Sequence, residues 1–453
     1  GRMSEASENI EPHVIVVGGG FGGMSVVSSL AHSPVQITLV DRRNHHLFQP
    51  LLYEVATAAL SPGQIAVPLR HVFRRQKNAT VVLGDVTSVD LERRVVEIDG
   101  EPLSYDYLVL ATGSTHHYFG HDAWAAHAPG LKSVDDALEI RRRFLLTFEQ
   151  ADRSESPDER RRLMTTVIVG GGPTGIELAG TMSEVAKRVL QGEFRNLDPS
   201  SLEIVLAEGA DRLLPALAPE LSALAKRDLE KLGVEVRLKT FVTEIDERGV
   251  VLQSGESISA SNVIWAAGVC GAPIERGLQA FMRDDRRLNV EPDLSLAGHR
   301  EVFAIGDLAY VETDGEQVPG LAPAALQMGK YVGKLLANQV GRSAAAGEPK
   351  PFEYWDKGTL ATIGRGKAVA DIGRFKFGGL LAWLLWVFIH IFFLVGFRNR
   401  VMVLIEWAYA YVTLHRGARL ITGQGTRPKA LAANARSTPS PPSADSESVS
   451  ATS

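Results

Sequence analysis

The apolar positions of this chain fall into many short runs and one long one. Val14 to Val17 (VIVV) is a β-branched run of the kind that fits a parallel strand buried on both faces. It passes through a glycine cluster into a helix-compatible segment, Met24 to Ala31, and then a second strand-like run, Gln36 to Val40. The order recurs 152 residues later: Thr166 to Val169, a glycine cluster, the helical IELAGTMSEVAKRVL, and the strand-like LEIVLAE ending at Glu208. Three further segments read as strands ending in tight turns: Tyr105 to Ser114, Asn262 to Val269, and Val302 to Asp307. Strands alternating with helices predict an α/β chain. Near the far end, Phe377 to Phe397 (FGGLLAWLLWVFIHIFFLVGF) holds no charged residue across 21 positions. A helix of that length would be roughly 30 Å long, enough to cross the hydrocarbon core of a bilayer. After a GFRNR turn comes VMVLIEWAYAYVTLHRGARL, an apolar stretch interrupted by Glu406.

Composition narrows the class. At 453 residues the chain suggests about three domains. A hydrophobic fraction of 45% with 22% charged residues is that of a folded globular protein. The net charge of −5 gives no reason to expect a nucleic-acid partner. The single cysteine, Cys270, excludes an intramolecular disulfide, a CxxC redox pair and a Cys-rich zinc site within one chain, and it suits a reducing compartment. The N-terminus has no apolar core before a cleavage site and does not read as a secretory signal. Residues 1–10, and a Pro/Ser/Ala-rich tail from 423 to 453 without an aromatic residue, are expected to be disordered.

The glycine clusters carry the chemistry. Gly18, Gly20 and Gly23 fit G-x-G-x-x-G directly after a strand: the first glycine permits the tight turn, the second lets backbone approach a pyrophosphate, and the third packs helix on strand. Asp41, ending the next strand, is placed to accept hydrogen bonds from an adenosine ribose. Gly170, Gly172 and Gly175 repeat the pattern, and Glu208 lies 38 residues beyond Gly170, the extra length being a long helix and a polar loop. Two such sites imply two bound nucleotides, naturally a flavin and a nicotinamide. An acid at the end of the second strand repels the 2′-phosphate of NADP, so Glu208 predicts NADH, with Arg212 the one basic residue close by.

The chain resembles the type II NADH dehydrogenases, single-subunit NADH:quinone oxidoreductases, and most of all their actinobacterial members. The residues that carry this are GGGFGG at 18–23, FQPLLYEVATAAL at 48–60, GGGPTGIELAG at 170–180, AIGD at 304–307 and APAALQMGKYVG at 322–333. The resemblance implies two Rossmann-like dinucleotide-binding domains and a C-terminal membrane-anchoring helical region. FAD would occupy a discontinuous domain of residues 11–130 and 288–345, NADH residues 131–287, and the membrane-associating region residues 346–422. Non-covalent FAD is expected at Gly18, Gly20, Phe21, Gly22, Gly23, Asp41, Arg42, Pro50, Val86, Ala111, Thr112, Gly113, Gly306 and Asp307. NADH is expected at Gly170, Gly172, Pro173, Thr174, Gly175, Glu177, Glu208, Ala267 and Gly268. Glu177 would face the nicotinamide–flavin junction, or act as a favourable acid in the first turn of its helix. Ala325 and Gln327 would meet the quinone; of the family's two glutamines spaced by four, only the second is present, Pro323 standing in place of the first. The implied reaction is non-proton-pumping, hydride passing from NADH to FAD and two electrons on to a membrane quinone, menaquinone or ubiquinone, in a respiratory chain.

Basic residues flank the long apolar run on both sides, and from Ile372 to Thr422 there are six Lys/Arg against one acid, which suits an anionic membrane surface. Two helices lying in the membrane interface fit this better than a true span, with a buried or homodimer helix as the third reading. That places the enzyme peripherally on the cytoplasmic face of the inner membrane. His390 reads as a packed or interface histidine rather than a metal ligand, and no metal site is expected. A soluble NADH-dependent ferredoxin or rubredoxin reductase shares both glycine loops and is the alternative; a nucleotide-sensing scaffold without turnover is the other.

Overall fold

The computed structural model describes residues 11–274, 276–341, 348–413 and 417–422. The two ends expected to be disordered, 1–10 and 423–453, lie outside the described residues. Strand β1 (His13–Val17), helix α1 (Phe21–Ser29) and strand β2 (Gln36–Asp41) form the first strand–loop–helix–strand unit. Helix α1 begins at Phe21, three residues before the expected Met24, because the glycine loop is only long enough to turn the chain. Short helix α2 (Leu52–Ala56), strand β3 (Ala79–Leu83) and strand β4 (Tyr107–Leu110) follow, and helix α3 (Val134–Arg153) leads into the second unit. Ser133 starts α3 with a capping box: its hydroxyl accepts from the Asp136 amide, while the Asp136 carboxylate accepts from the Ser133 amide at 2.8 Å.

The second unit comprises β5 (Thr165–Val169), α4 (Pro173–Glu184), β6 (Glu203–Ala207), β7 (Val234–Arg237) and β8 (Asn262–Trp265). Its four strands are parallel in the order β7-β6-β5-β8. Pro173 opens α4, where a missing N–H is harmless and the fixed φ suits the first turn. The expected continuous helix to Leu190 ends at Glu184 and passes into a π-type turn, Val185–Val189. The chain then returns to the first sheet through β9 (Ser295–Leu296) and β10 (His299–Ala304), giving the order β9-β10-β4-β1-β2-β3. Val302 pairs with Leu108, so the segment ending at Asp307 completes a sheet begun almost 300 residues earlier. Val14, Ile15 and Val16 are fully buried, as a strand covered on both faces requires. A two-strand ribbon, Ser114 to His116 against Val269 to Gly271, ties the two units together.

Helix α5 (Ala322–Gly341) lies along α1 at close range: a Cβ on Gly329 would stand 2.3 Å from the Gly22 carbonyl oxygen. Three antiparallel strands then form a small sheet: β11 (Thr359–Gly364), β12 (Lys367–Ile372) and β13 (Phe375–Gly379). Strand β11 rests on α4 so tightly that a Cβ on Gly180 would overlap the Ile363 carbonyl oxygen, at 1.7 Å. Helices α6 (Leu380–Phe393) and α7 (Phe397–Thr413) close the described fold.

Here the long apolar run departs from a single helix. Phe377 to Gly379 pair with β12 as the end of a strand, and Leu394 to Gly396 turn the chain, leaving 14 helical residues, about 21 Å. No helix among the described residues is long and apolar enough to cross a membrane. The residues Phe397 to Arg400 expected in a turn are already helical. Both helices are two-faced. Ala382 and Trp386 of α6 and Val403 of α7 are buried, Trp386 and Val403 within the core that also holds Leu51, Tyr53 and Ile176. Leu384, Phe388 and Phe392, at intervals of four, point outward, as do Phe397, Ile405 and Val412.

Candidate functional site

The first glycine loop is built by backbone constraint. Gly18 adopts φ +105°, and a Cβ there would stand 2.3 Å from the Ala111 carbonyl oxygen; on Gly23 it would stand 1.9 Å from the Gly18 oxygen. Nothing in the chain lies within 4 Å of the Cβ position of Gly20, so the loop is open where the N-terminus of α1 is positively polarised. Asp41 ties the loop to its strand: one carboxylate oxygen accepts from the Gly19 amide and the other from the Arg43 amide, both at 2.7 Å. Arg42 beside it is exposed, whereas Val86 is buried in the core of this unit. Phe21 meets His46 edge-on at 4.9 Å and Phe48 at 5.8 Å; Pro50 follows in the turn Gln49–Leu51.

Opposite the loop, Ala111, Thr112 and Gly113 leave the end of β4, and the Thr112 hydroxyl is buried with no protein partner. Gly306 and Asp307 leave β10 beside them, and the Ala325 methyl lies 3.4 Å from the Cβ position of Gly306. Ser114 donates to Asp307 at 2.7 Å, and Lys132 donates to Ser114 at 2.9 Å. An open phosphate cradle, an orphaned hydroxyl and a carboxylate held by neutral and cationic donors fit a flavin dinucleotide.

The second loop repeats this geometry. Gly170 has φ +114° with its Cβ position 2.4 Å from the Ala266 oxygen, Gly175 again falls 1.9 Å from the Gly170 oxygen, and Gly172 faces open space. Pro173 and Thr174 start α4 at the open side; Gly268 and the exposed Ala267 leave β8 across from them. Glu208 accepts from the amides of Gly171 (2.5 Å) and Ala210 (2.7 Å). Arg212, the basic residue nearby in sequence, donates to the Pro215 carbonyl instead.

Glu177 sits in the second turn of α4, beyond the first turn where the helix dipole acts strongly. Burial pushes its carboxyl well above the usual carboxylate range, and the nearby Glu54 raises it further, while the Thr362 backbone hydrogen-bonded to it offsets part of the effect. Gln327 is placed differently from a free quinone contact. Its side-chain N–H donates to the Trp355 carbonyl and its oxygen accepts from the Trp355 amide, both at 3.0 Å. His390 stacks on Trp386 at 4.0 Å, donates from Nδ1 to the Trp386 carbonyl and meets Phe48 edge-on at 6.2 Å. Burial pulls its imidazole down to about 4. Sequence reasoning passed over His46, Glu54, Ser114, Lys132 and Thr362. The S-x-x-D capping signal at Ser133 could have drawn notice to Lys132; nothing local marks the other four.

A family model described as pyridine nucleotide-disulphide oxidoreductase matches residues 12–329, and one for the NDH2 C-terminal domain matches residues 356–413. Type II NADH:quinone oxidoreductase Ndh of Mycobacterium tuberculosis is 41% identical over 91% of this chain and 90% of its own length. NdhA of the same bacterium is also 41% identical, over 91% and 89%. NDH2 from Plasmodium falciparum, solved in complex with NADH, matches with a TM-score of 0.82 at 20% identity over 91% of this chain and all of its own, a likeness of fold.

Proposed function

We propose, for a chain that belongs to the type II NADH:quinone oxidoreductases, that FAD binds at the first glycine loop, NADH binds at the second, and Glu177 stands where the two rings meet. The enzyme is an FAD-dependent NADH:quinone oxidoreductase. FAD, when bound, accepts hydride from NADH and passes two electrons to the quinone. The protein's part is to align and to exclude water, which is why loops and strand ends, rather than a nucleophile, make up the site. The observation that carries this reading is the repeated geometry of the two loops, each open only where a pyrophosphate would lie.

In this reading Gly18, Gly20, Phe21, Gly22 and Gly23 cradle the flavin's pyrophosphate, Asp41 faces its ribose, Thr112 and Asp307 hold its ribityl side, and Pro50 lies against the ring. The flavin domain comprises residues 11–130 and 288–345, the nicotinamide domain 131–287. Glu208 disfavours a 2′-phosphate and selects NADH over NADPH. Ala325 borders the quinone's place of reaction, and Gln327 shapes that border by clasping the Trp355 backbone. The outward faces of α6 and α7 lie in the interface of a membrane, the lipid surface from which quinone arrives, on the cytoplasmic side. Exposed Leu384, Phe388, Phe392, Phe397 and Val412 support this, together with the excess of Lys/Arg around them.

The test is spectroscopic. Purified protein is yellow, bleaches under NADH without oxygen, and regains its colour on adding a short-chain quinone. Recovery with ferredoxin or rubredoxin but not quinone would assign the electrons elsewhere.

A further inference from the structure

We propose that the cleft between α2, α4 and the C-terminal helices is the entry for the reaction's second proton, carried from water by Glu184 and Glu54 to Glu177. The proposal rests on the reading of Glu177 at the ring junction and deepens it. The net reaction is NADH + quinone + H⁺ → NAD⁺ + quinol. Hydride supplies two electrons and one proton; quinol holds two protons, so one must come from water in every turnover. Nothing else is consumed, and the carboxylates only receive and release that proton.

The cleft has about 110 Å³ of interior space and opens to solvent. Its wall includes Glu54 from α2, Thr181 and Glu184 from α4, Thr362 from β11 and Glu406 from α7. Glu177, Thr181 and Glu184 follow one another along α4 at spacings of four and three, so they share a face over about 10 Å. The inner end is therefore reached from the outer by two helical turns of polar side chains. The Thr362 strand bonded to Glu177 also forms part of the wall, which places the cleft directly behind that carboxyl. Two buried indole N–H groups, of Trp386 and Trp407, have no protein partner and line the same space. Orphaned donors in a polar cleft suit hydrogen-bonded water, the medium a proton needs between carboxylates.

The charged groups facing this path are Glu54, Glu184, Arg188, Arg365 and Glu406. Glu184 accepts from the Arg365 amide at 2.9 Å, which fixes it at the mouth, and Glu54 accepts from the Tyr53 hydroxyl at 3.1 Å. The effect of Glu54 on Glu177 gives the path its direction: the inner carboxyl binds the proton more tightly than an ordinary carboxylate. Glu54 and Glu184 are thus positioning residues that act through Glu177.

The experiment uses the full-length holoenzyme and separates the two half-reactions by anaerobic stopped flow. In Glu54→Gln/Glu184→Gln, bleaching by NADH keeps its rate, while recovery with a short-chain quinone slows about tenfold or more and shows a larger solvent deuterium effect. Added imidazole restores part of the recovery rate. Infrared titration shows the Glu177 carboxyl losing its proton at lower pH in Glu54→Gln. Thr181→Val, which interrupts the path without removing a charge, slows recovery in the same way and serves if the double variant loses FAD. Unchanged recovery and isotope effect in both, with Glu177→Gln slow, would overturn the proposal alone. If Glu177→Gln is also unaffected, the reading of Glu177 fails first.

Discussion

Glu177 shows how one burial sets both chemistry and stability. Its raised carboxyl means the folded protein keeps a proton that the unfolded chain releases above the ordinary glutamate range, so this group lowers stability as pH rises through that window. Glu177→Gln removes the effect: the midpoint of thermal unfolding should gain more at pH 8 than at pH 5, while quinone reduction falls and FAD is retained. His390 has the opposite sensitivity. With its imidazole held near 4 against 6.5 unfolded, its contribution is intact above pH 6.5 and is lost as pH falls towards 4, by about 3 kcal/mol at most. Denaturation midpoints of the wild type and His390→Phe should therefore diverge only below pH 6.5, the variant becoming relatively more stable. Gly18 is a matter of sterics: at φ +105° and 2.3 Å from the Ala111 oxygen, Gly18→Ala should yield a colourless, FAD-free protein, measured by absorbance after purification.

At the scale of elements, the C-terminal helices divide their labour by face. Ala382 and Trp386 are buried beneath α6, and Trp386→Ala should cost about 3–5 kcal/mol, read by denaturant unfolding. Leu384 and Phe388 are outside the core, 51% and 66% exposed. Leu384→Glu/Phe388→Glu should release the protein from lipid vesicles in a flotation assay and slow reduction of a long-chain quinone, leaving NADH bleaching intact. A truncation at Phe377 is the poorer test, since it removes the end of β13 and three core side chains together. The glycine loops and their strands were legible because β-branched runs and turn glycines are local signals. The break at Gly379 was not: continuous apolarity reads as helix, and only pairing with β12 makes Phe377 to Gly379 a strand.

Across the whole molecule, the two nucleotide units differ in one decisive acid environment. Glu208 is held by two backbone amides while Arg212 is engaged elsewhere, so NADPH should bleach the flavin at least about tenfold more slowly than NADH in stopped flow. Order along the chain was enough to read the repeated strand–loop–helix units, the two nucleotides, the probable acids at their strand ends and the absence of a thiol relay, because each depends on residue type at short spacing. Tertiary structure decided the rest. Glu54 and Thr362 lie 123 and 185 residues from Glu177, yet they set its proton affinity. Gln327 was legible as a polar group at the right place, but its clasp on Trp355 depends on a loop 28 residues away. The apolar run was visible at once; which of its faces is core and which is surface follows from the helices it packs against. Burial and electrostatic neighbours arise from contacts between distant segments, and no local pattern encodes them.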